Sequence, residues 1–181
     1  TLKMAGRIAD GVWIRVGTHP ANLTMAWQSV CDGAFEAGRD PAHIQLGLIF
    51  HTAVSTDPDK ARTMGKAIAA GYYEYSPFLF DAPGYDWTGD DPHVLREQAW
   101  PDFHHHRDPV HAGTVVDFLA DDIADAFALH GDWDQIGNQL QALLDLDLPV
   151  STVIPHPILP VDEPIDFITA CAENLLPAFK N

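Results

Sequence analysis

The feature that most constrains this chain is an alternation: a helix tail, a short apolar run and a second helix follow one another within the first forty residues. Thr1 to Ile8 carries Leu2, Ala5 and Ile8 at spacings of three, with Lys3 and Arg7 on the other side, which predicts a helix. Asp10-Gly11 breaks it, and Val12-Trp13-Ile14-Arg15-Val16 is a short run between glycines that suits a buried strand. Gly17-Thr18-His19-Pro20 then leads into a helix over Ala21 to Ala37, with Leu23, Ala26, Trp27, Val30, Ala34 and Ala37 on one face and Gly38 as its stop. A helix feeding a strand feeding a helix is a unit of an α/β fold.

The rest of the chain repeats that unit. After Asp40-Pro41, Ile44 to Val54 (IQLGLIFHTAV) is a second strand, apolar on both faces as parallel strands are. Asp57-Pro58-Asp59 opens a helix continuing through Ala61, Met64, Ala67 and Ile68. Between Gly71 and Gly113 periodicity gives way to aromatics, Pro, Gly, Asp and His, which reads as a long insertion covering a site or an interface, with a helical piece over Pro92 to Trp100. Val115, Phe118, Leu119, Ile123 and Phe127 form a stripe that predicts a helix over Val115 to Leu129, and another helix runs from Trp133 to Leu146. Val150 to Ile154 is the last strand, closed by a Pro155-His156-Pro157 turn, and an amphipathic helix over Ile165 to Phe179 packs Ile168, Cys171, Leu175 and Leu176. The three strands are expected to be parallel neighbours in chain order, because right-handed crossovers wind that way.

Composition excludes several function classes. A chain of 181 residues, 46% hydrophobic, can bury one core and is read as a single domain, residues 1–181. Ten Lys plus Arg against 26 Asp plus Glu give a formal net charge of −16, which argues against a nucleic-acid partner, whose binding needs clustered cations. No apolar run approaches the roughly 18 residues of a membrane span, and Thr1-Leu2-Lys3-Met4 is not a signal peptide. Cys31 and Cys171 form no CxxC pair and are read as reduced, buried thiols of a cytoplasmic protein. His104-His105-His106, with His93 and His111 nearby, is the one metal-like constellation, but tetrahedral sites usually space their ligands, so no metal is expected.

The words AGRIADGVWIRVGT (Ala5 to Thr18), AFEAGRDPAHIQLGL (Ala34 to Leu48), AVSTDPDKAR (Ala53 to Arg62) and DDIADAFALHGDWDQI (Asp121 to Ile136), in that order and at those separations, resemble the second half of the luciferase-like monooxygenase family. Its members are flavin- or deazaflavin-dependent (β/α)8 barrels. The resemblance implies a partial TIM-type barrel holding strands six to eight and their helices, with residues 71–113 as an insertion or lid after the second strand unit. Eight strands close such a barrel, so the open edges are expected to pair with another copy or with a complementing N-terminal half.

The same resemblance implies where function sits. In these barrels chemistry lies at the C-terminal ends of the strands, which here carry Arg15, Gly17, Thr18 and His19, then His51 and Thr52, then His156. Arg15, Val16, Gly17 and Thr18 match positions that line the cofactor and hold a substrate phosphate in deazaflavin-dependent sugar-phosphate dehydrogenases, although those relatives carry Lys where Thr18 stands. Arg15 suits an anion through its bidentate fork. An ion pair at the rim for Arg15, a satisfied core imidazole for His51 and a loop position for His156 are the structural alternatives. His51 and His156 are substrate-pocket candidates, and no catalytic residue is assigned because the family's lie mainly on its earlier strands. The implied activity is hydride transfer between coenzyme F-420, preferred over FMN, and a small organic substrate, with the cofactor not held by this chain alone. The competing reading is a non-catalytic half-barrel module that needs a partner chain.

Overall fold

The computed structural model describes residues 1–158 and 164–179. In order the chain forms α1 (Leu2–Ile8), β1 (Gly11–Ile14), α2 (Pro20–Glu36), β2 (Gln45–Val54), α3 (Pro58–Tyr75), α4 (Pro92–Leu95), α5 (Pro109–Val115), α6 (Ile123–Phe127), β3 (Leu129–Gly131), α7 (Trp133–Leu144), β4 (Val150–Pro157) and α8 (Pro164–Asn174), with short 3-10 turns between. The elements start where local chemistry allows. Asp57 accepts the Asp59 and Lys60 amides ahead of Pro58 at the head of α3, and Asp132 and Gln135 form a reciprocal capping box on α7.

All strands are parallel and β2 lies at the centre. Its first half pairs with β1, Gly11 opposite Gln45 and Ile14 opposite Leu48. Its last three residues pair with β3, Thr52 opposite Leu129 and Val54 opposite Gly131. Leu46 to Thr52 pair with β4, from Val150 to Pro157. Leu46, Gly47 and Leu48 pair with both β1 and β4, which puts these two strands on opposite edges. The expected order of three parallel neighbours is therefore observed, and β3 is a short strand that the sequence reading missed.

Side-chain alternation gives the sheet two unlike faces. Ile14, Leu46, Leu48 and Phe50 join Leu23 and Val30 of α2 and Ile136 and Leu140 of α7 in one core. The other face is open. Trp13 lies across Gly47, where a Cβ would collide with the indole, and remains 54% exposed. Ile154 and His156 of β4 are exposed on that side as well. A second core, with Phe80, Phe103, Ile68, Val116, Ile123 and Phe127, packs against Ala53, Val16 and Ile158 at the C-terminal ends of the strands.

Three sequence expectations are corrected. β4 runs on to Pro157 instead of stopping at Ile154, so His156 is a strand residue and not part of a turn. Val115 to Leu129 is not one helix: α5 ends at Val115, the chain turns, α6 follows and Leu129 opens β3. Lys66 of α3, 4% exposed, draws Asp117 (3.1 Å) and Asp121 (2.8 Å) towards it across that turn. The buried set is Val116, Leu119, Ile123 and Phe127, while Phe118 faces out. The helix that opens at Pro58 runs to Tyr75 and takes in the first five residues of the predicted insertion. Cys31 and Cys171 are half-buried thiols. Among the described residues no helix is long and apolar enough to cross a membrane.

Glycines let α1 cross α2 at very short range: a Cβ at Gly6 would strike the Val30 carbonyl, and one at Gly33 the Lys3 carbonyl. Overpacking of this kind costs about 1–3 kcal/mol, against roughly 1 kcal/mol returned by alanine's better helix propensity. Gly33→Ala should therefore destabilise the chain by up to about 2 kcal/mol. A urea titration should show a lower midpoint at unchanged slope, and an unmoved midpoint would mean that α1 simply lifts away.

Candidate functional site at the C-terminal end of the sheet

Four rings meet where β2 and β4 end. His51 of β2 stands opposite His156 of β4, their ring centroids 5.2 Å apart and edge-on at 84°. His104, from the segment after α4, stacks on His51 at 4.6 Å and 25°. Tyr72 of α3 closes the group, its hydroxyl 3.3 Å from His51 Nδ1. His104 reaches this place because Gly71 has no side chain, as a Cβ there would collide with the imidazole. Its Nε2 lies 3.0 Å from the Ile68 carbonyl, so that nitrogen carries the proton and donates.

The neighbouring loop is held separately. Gly17 has φ +84°, and a Cβ on it would sit 2.7 Å from the Ala126 carbonyl oxygen. The Thr18 and His19 amides both donate to that oxygen, at 2.9 and 3.0 Å, and the Thr18 hydroxyl donates to the Asp125 carbonyl at 2.7 Å. His19 caps α2 by accepting the Ala21 amide at 3.3 Å, and Asn22 Nδ2 donates to the Leu79 carbonyl at 2.9 Å. The loop after β1 is thus fastened to α6 and to the turn over Pro77–Phe80, and Thr18 is buried. Arg15 is exposed and makes no hydrogen bond or ion pair among the described residues. Its positive charge nevertheless reaches His51, His104, His156 and Tyr72.

Electrostatics keeps the rings uncharged. Burial, then the nearby His104, His156 and Arg15, pushes His51 down to about 2. Burial likewise takes His104 down to about 4 and lowers His156, while the Tyr72 hydroxyl is pushed up to about 12. Next to this group, burial alone would raise the Asp102 carboxyl, but the His105 ring at 2.9 Å and the His104 and His105 amides hold it below the usual carboxylate range.

The structure brings Arg15, His51 and His156 to one end of the sheet, whereas Thr18 is turned into the loop's own anchoring. The histidine triplet divides its roles: His104 stacks on His51, His105 binds Asp102, and His106 Nδ1 accepts the Asp108 amide at 3.0 Å. Among the described residues no group of three or more His, Cys, Asp or Glu could hold a metal ion. Sequence reasoning missed Tyr72 and His104. The signal available was Gly71 beside an aromatic run, which marks a close approach. An apolar groove of about 880 Å³ runs between β4 and α8, lined by Val153, His156, Phe167, Cys171 and Leu175 among others.

The chain is 28% identical over 180 residues to the 5,10-methylenetetrahydromethanopterin reductase of Methanopyrus kandleri, covering 99% of this chain and 48% of that protein. It therefore spans about half the length of this relative. The solved structure of the coenzyme F420-dependent tetrahydromethanopterin reductase from Methanopyrus kandleri superposes with a TM-score of 0.62 at 25% identity, covering 99% of this chain and 48% of that one. An F420-dependent secondary alcohol dehydrogenase in complex with an F420-acetone adduct gives a TM-score of 0.62 at 15% identity, covering 99% of this chain and 46% of that one, a likeness of fold alone. A family model for luciferase-like monooxygenases matches residues 1–146. On that match, this chain belongs to the luciferase-like monooxygenase family.

Proposed function

We propose that this chain is the C-terminal half of a (β/α)8 oxidoreductase that uses coenzyme F-420, with β1, β2 and β4 as the sixth, seventh and eighth strands. The observation that carries the reading is the convergence of Arg15, His51 and His156 at the C-terminal end of one parallel sheet. That is where ligands sit in open and closed parallel folds. The coverage of about half of an F420-dependent relative and the open face bearing Trp13 and Ile154 support a barrel completed by further strands. Among the described residues the outer edges of β1 and β4 are unpaired, and edges of this kind seek partners.

The donor set suits the cofactor. A guanidinium and neutral imidazoles offer hydrogen-bond donors to an acidic, carbonyl-bearing ring system, which FMN and coenzyme F-420 both have. When bound, such a cofactor supplies hydride transfer to or from a small organic substrate. Arg15 and Val16 line the cofactor side, and His51 and His156 stand where the cofactor ring and the substrate meet. Gly17 and Thr18 act by setting the loop that aims Arg15. The second core excludes water from above His51. Coenzyme F-420 is preferred over FMN because the Methanopyrus kandleri reductase, 25% identical to this chain, depends on coenzyme F420.

The test is Arg15→Ala in the chain complemented by an N-terminal half. Loss of a hydrogen bond to a charged group costs about 1.5–3 kcal/mol, so affinity for coenzyme F-420, read by fluorescence titration, should fall roughly 10- to 100-fold. Arg15→Lys should recover part of it. Unchanged affinity in Arg15→Ala would remove the residue from the cofactor site.

A further inference from the structure

His51 has two ring nitrogens, and the surroundings treat them differently. Nδ1 lies 3.3 Å from the Tyr72 hydroxyl. Tyr72 is buried and its hydroxyl has no other hydrogen-bond partner among the described residues, so its proton needs this nitrogen as acceptor. His51 Nδ1 is the acceptor within reach. A neutral imidazole that accepts at Nδ1 carries its proton on Nε2. His51 Nε2 has no hydrogen bond among the described residues, yet it is not one of the enclosed unpartnered atoms there, which are Asn22 Oδ1 and Glu74 Oε2. The small exposed part of His51 therefore includes this nitrogen, on the side where His156 and Arg15 stand.

The ring has little freedom to turn over. His104 covers it at 4.6 Å, and His104 is itself fixed by the Ile68 carbonyl and by the space at Gly71. The charged or titratable groups facing His51 are Tyr72 from α3, His104 and His105 from the segment after α4, His156 from β4 and Arg15 after β1. None of these is a carboxylate that would hold an imidazolium. Asp102, the carboxylate whose charge acts on the neighbouring His104, is engaged by His105.

We infer that His51 is presented to the site as a locked Nε2–H donor, with Tyr72 and His104 as positioning residues, and that it donates to a carbonyl oxygen of the bound ring system. The second half of this inference rests on the proposed cofactor, and the first half does not. Its basis is the contact of the Tyr72 hydroxyl with His51 Nδ1 beneath the stacked His104 ring, which leaves Nε2 as the nitrogen facing the site. A permanent neutral donor fixes a carbonyl without changing its charge as the reaction proceeds, which is the value of preorganised dipoles.

Nitrogen-15 NMR of the histidine rings in the chain as it stands tests the first half. The His51 spectrum should show a bare Nδ1 and a protonated Nε2 across about pH 5 to 8, a range in which an ordinary histidine titrates. Tyr72→Phe should keep the fold but let His51 sample both tautomers. A His51 that carries its proton on Nδ1, or that charges near pH 6.5, would overturn the inference. Coenzyme F-420 added to the chain complemented by an N-terminal half tests the second half: the Nε2–H resonance should shift, and His51→Gln, which keeps a donor, should bind more tightly than His51→Leu. Binding without either effect overturns the donor role alone. Failure of coenzyme F-420 to bind any of these proteins overturns the proposed cofactor and with it the ligand half, and the tautomer stands or falls on its own spectrum.

Discussion

Phe80→Ala should cost about 3–5 kcal/mol of stability, the usual loss for a large aromatic removed from a packed core. Phe80 is 1% exposed and its ring lies 4.8 Å from that of Tyr73 and 4.9 Å from that of Phe127. It therefore ties the turn after α3 to α6 across the second core. A loss of this size is a large fraction of the roughly 5–15 kcal/mol that holds a domain folded. Phe78, two residues away and 60% exposed, is the control, and its alanine variant should stay within about 0.5 kcal/mol of the parent. Urea unfolding followed by circular dichroism separates the two. Equal midpoints for the two variants would mean that residues 77–103 form a cover with little share in the core.

Mild acid should weaken the fold steeply. His51 and His104 are held neutral down to about 2 and about 4, whereas in the unfolded chain each would charge near the ordinary value of 6.5. Below that value the unfolded state binds more protons than the folded one, so stability falls as pH falls and is fully present only above about pH 6.5. For two such groups the loss between about pH 7 and about pH 5 is on the order of 3 kcal/mol. His156, lowered in the same direction but more exposed, adds little. Asp102 acts in a lower window: its carboxyl is held down in the folded state, so its contribution is present above the unfolded carboxylate range and disappears only as pH drops through its folded value. Urea midpoints at the two pH values measure the effect, and His104→Phe should remove about half of the slope. A midpoint that does not move over this range would show that these imidazoles charge freely in the folded chain.

Much of this architecture was legible because parallel strands announce themselves as apolar runs between glycine and proline breaks. Val12 to Val16, Ile44 to Val54 and Val150 to Ile154 each led to an observed strand, although Arg15 and Val16 lie just past the end of β1. The three residues of β3 were invisible, because Leu129-His130-Gly131 carries no period of its own and is a strand only through its pairing with the end of β2. The second core was hidden for a related reason. Short turns joined by Pro, Gly and Asp have no single periodicity, yet Leu79, Phe80 and Phe103 are buried by tertiary contacts made far along the chain. In the site, Arg15, His51 and His156 could be picked out by their position at strand ends. Tyr72 and His104 could not, because their relation to His51 depends on the path of α3 and on tertiary packing across Gly71, for which the sequence carries only the glycine beside an aromatic run.

The central claim is that the cofactor site is shared between this chain and the strands that complete its barrel. The direct measurement is fluorescence titration of coenzyme F-420 into the chain alone and into the chain complemented by a five-strand N-terminal half, with sedimentation confirming assembly in the second sample. The account predicts saturable binding only in the complemented sample. Saturable binding by the chain alone as a monomer, or none in a sedimentation-verified assembly, would contradict it.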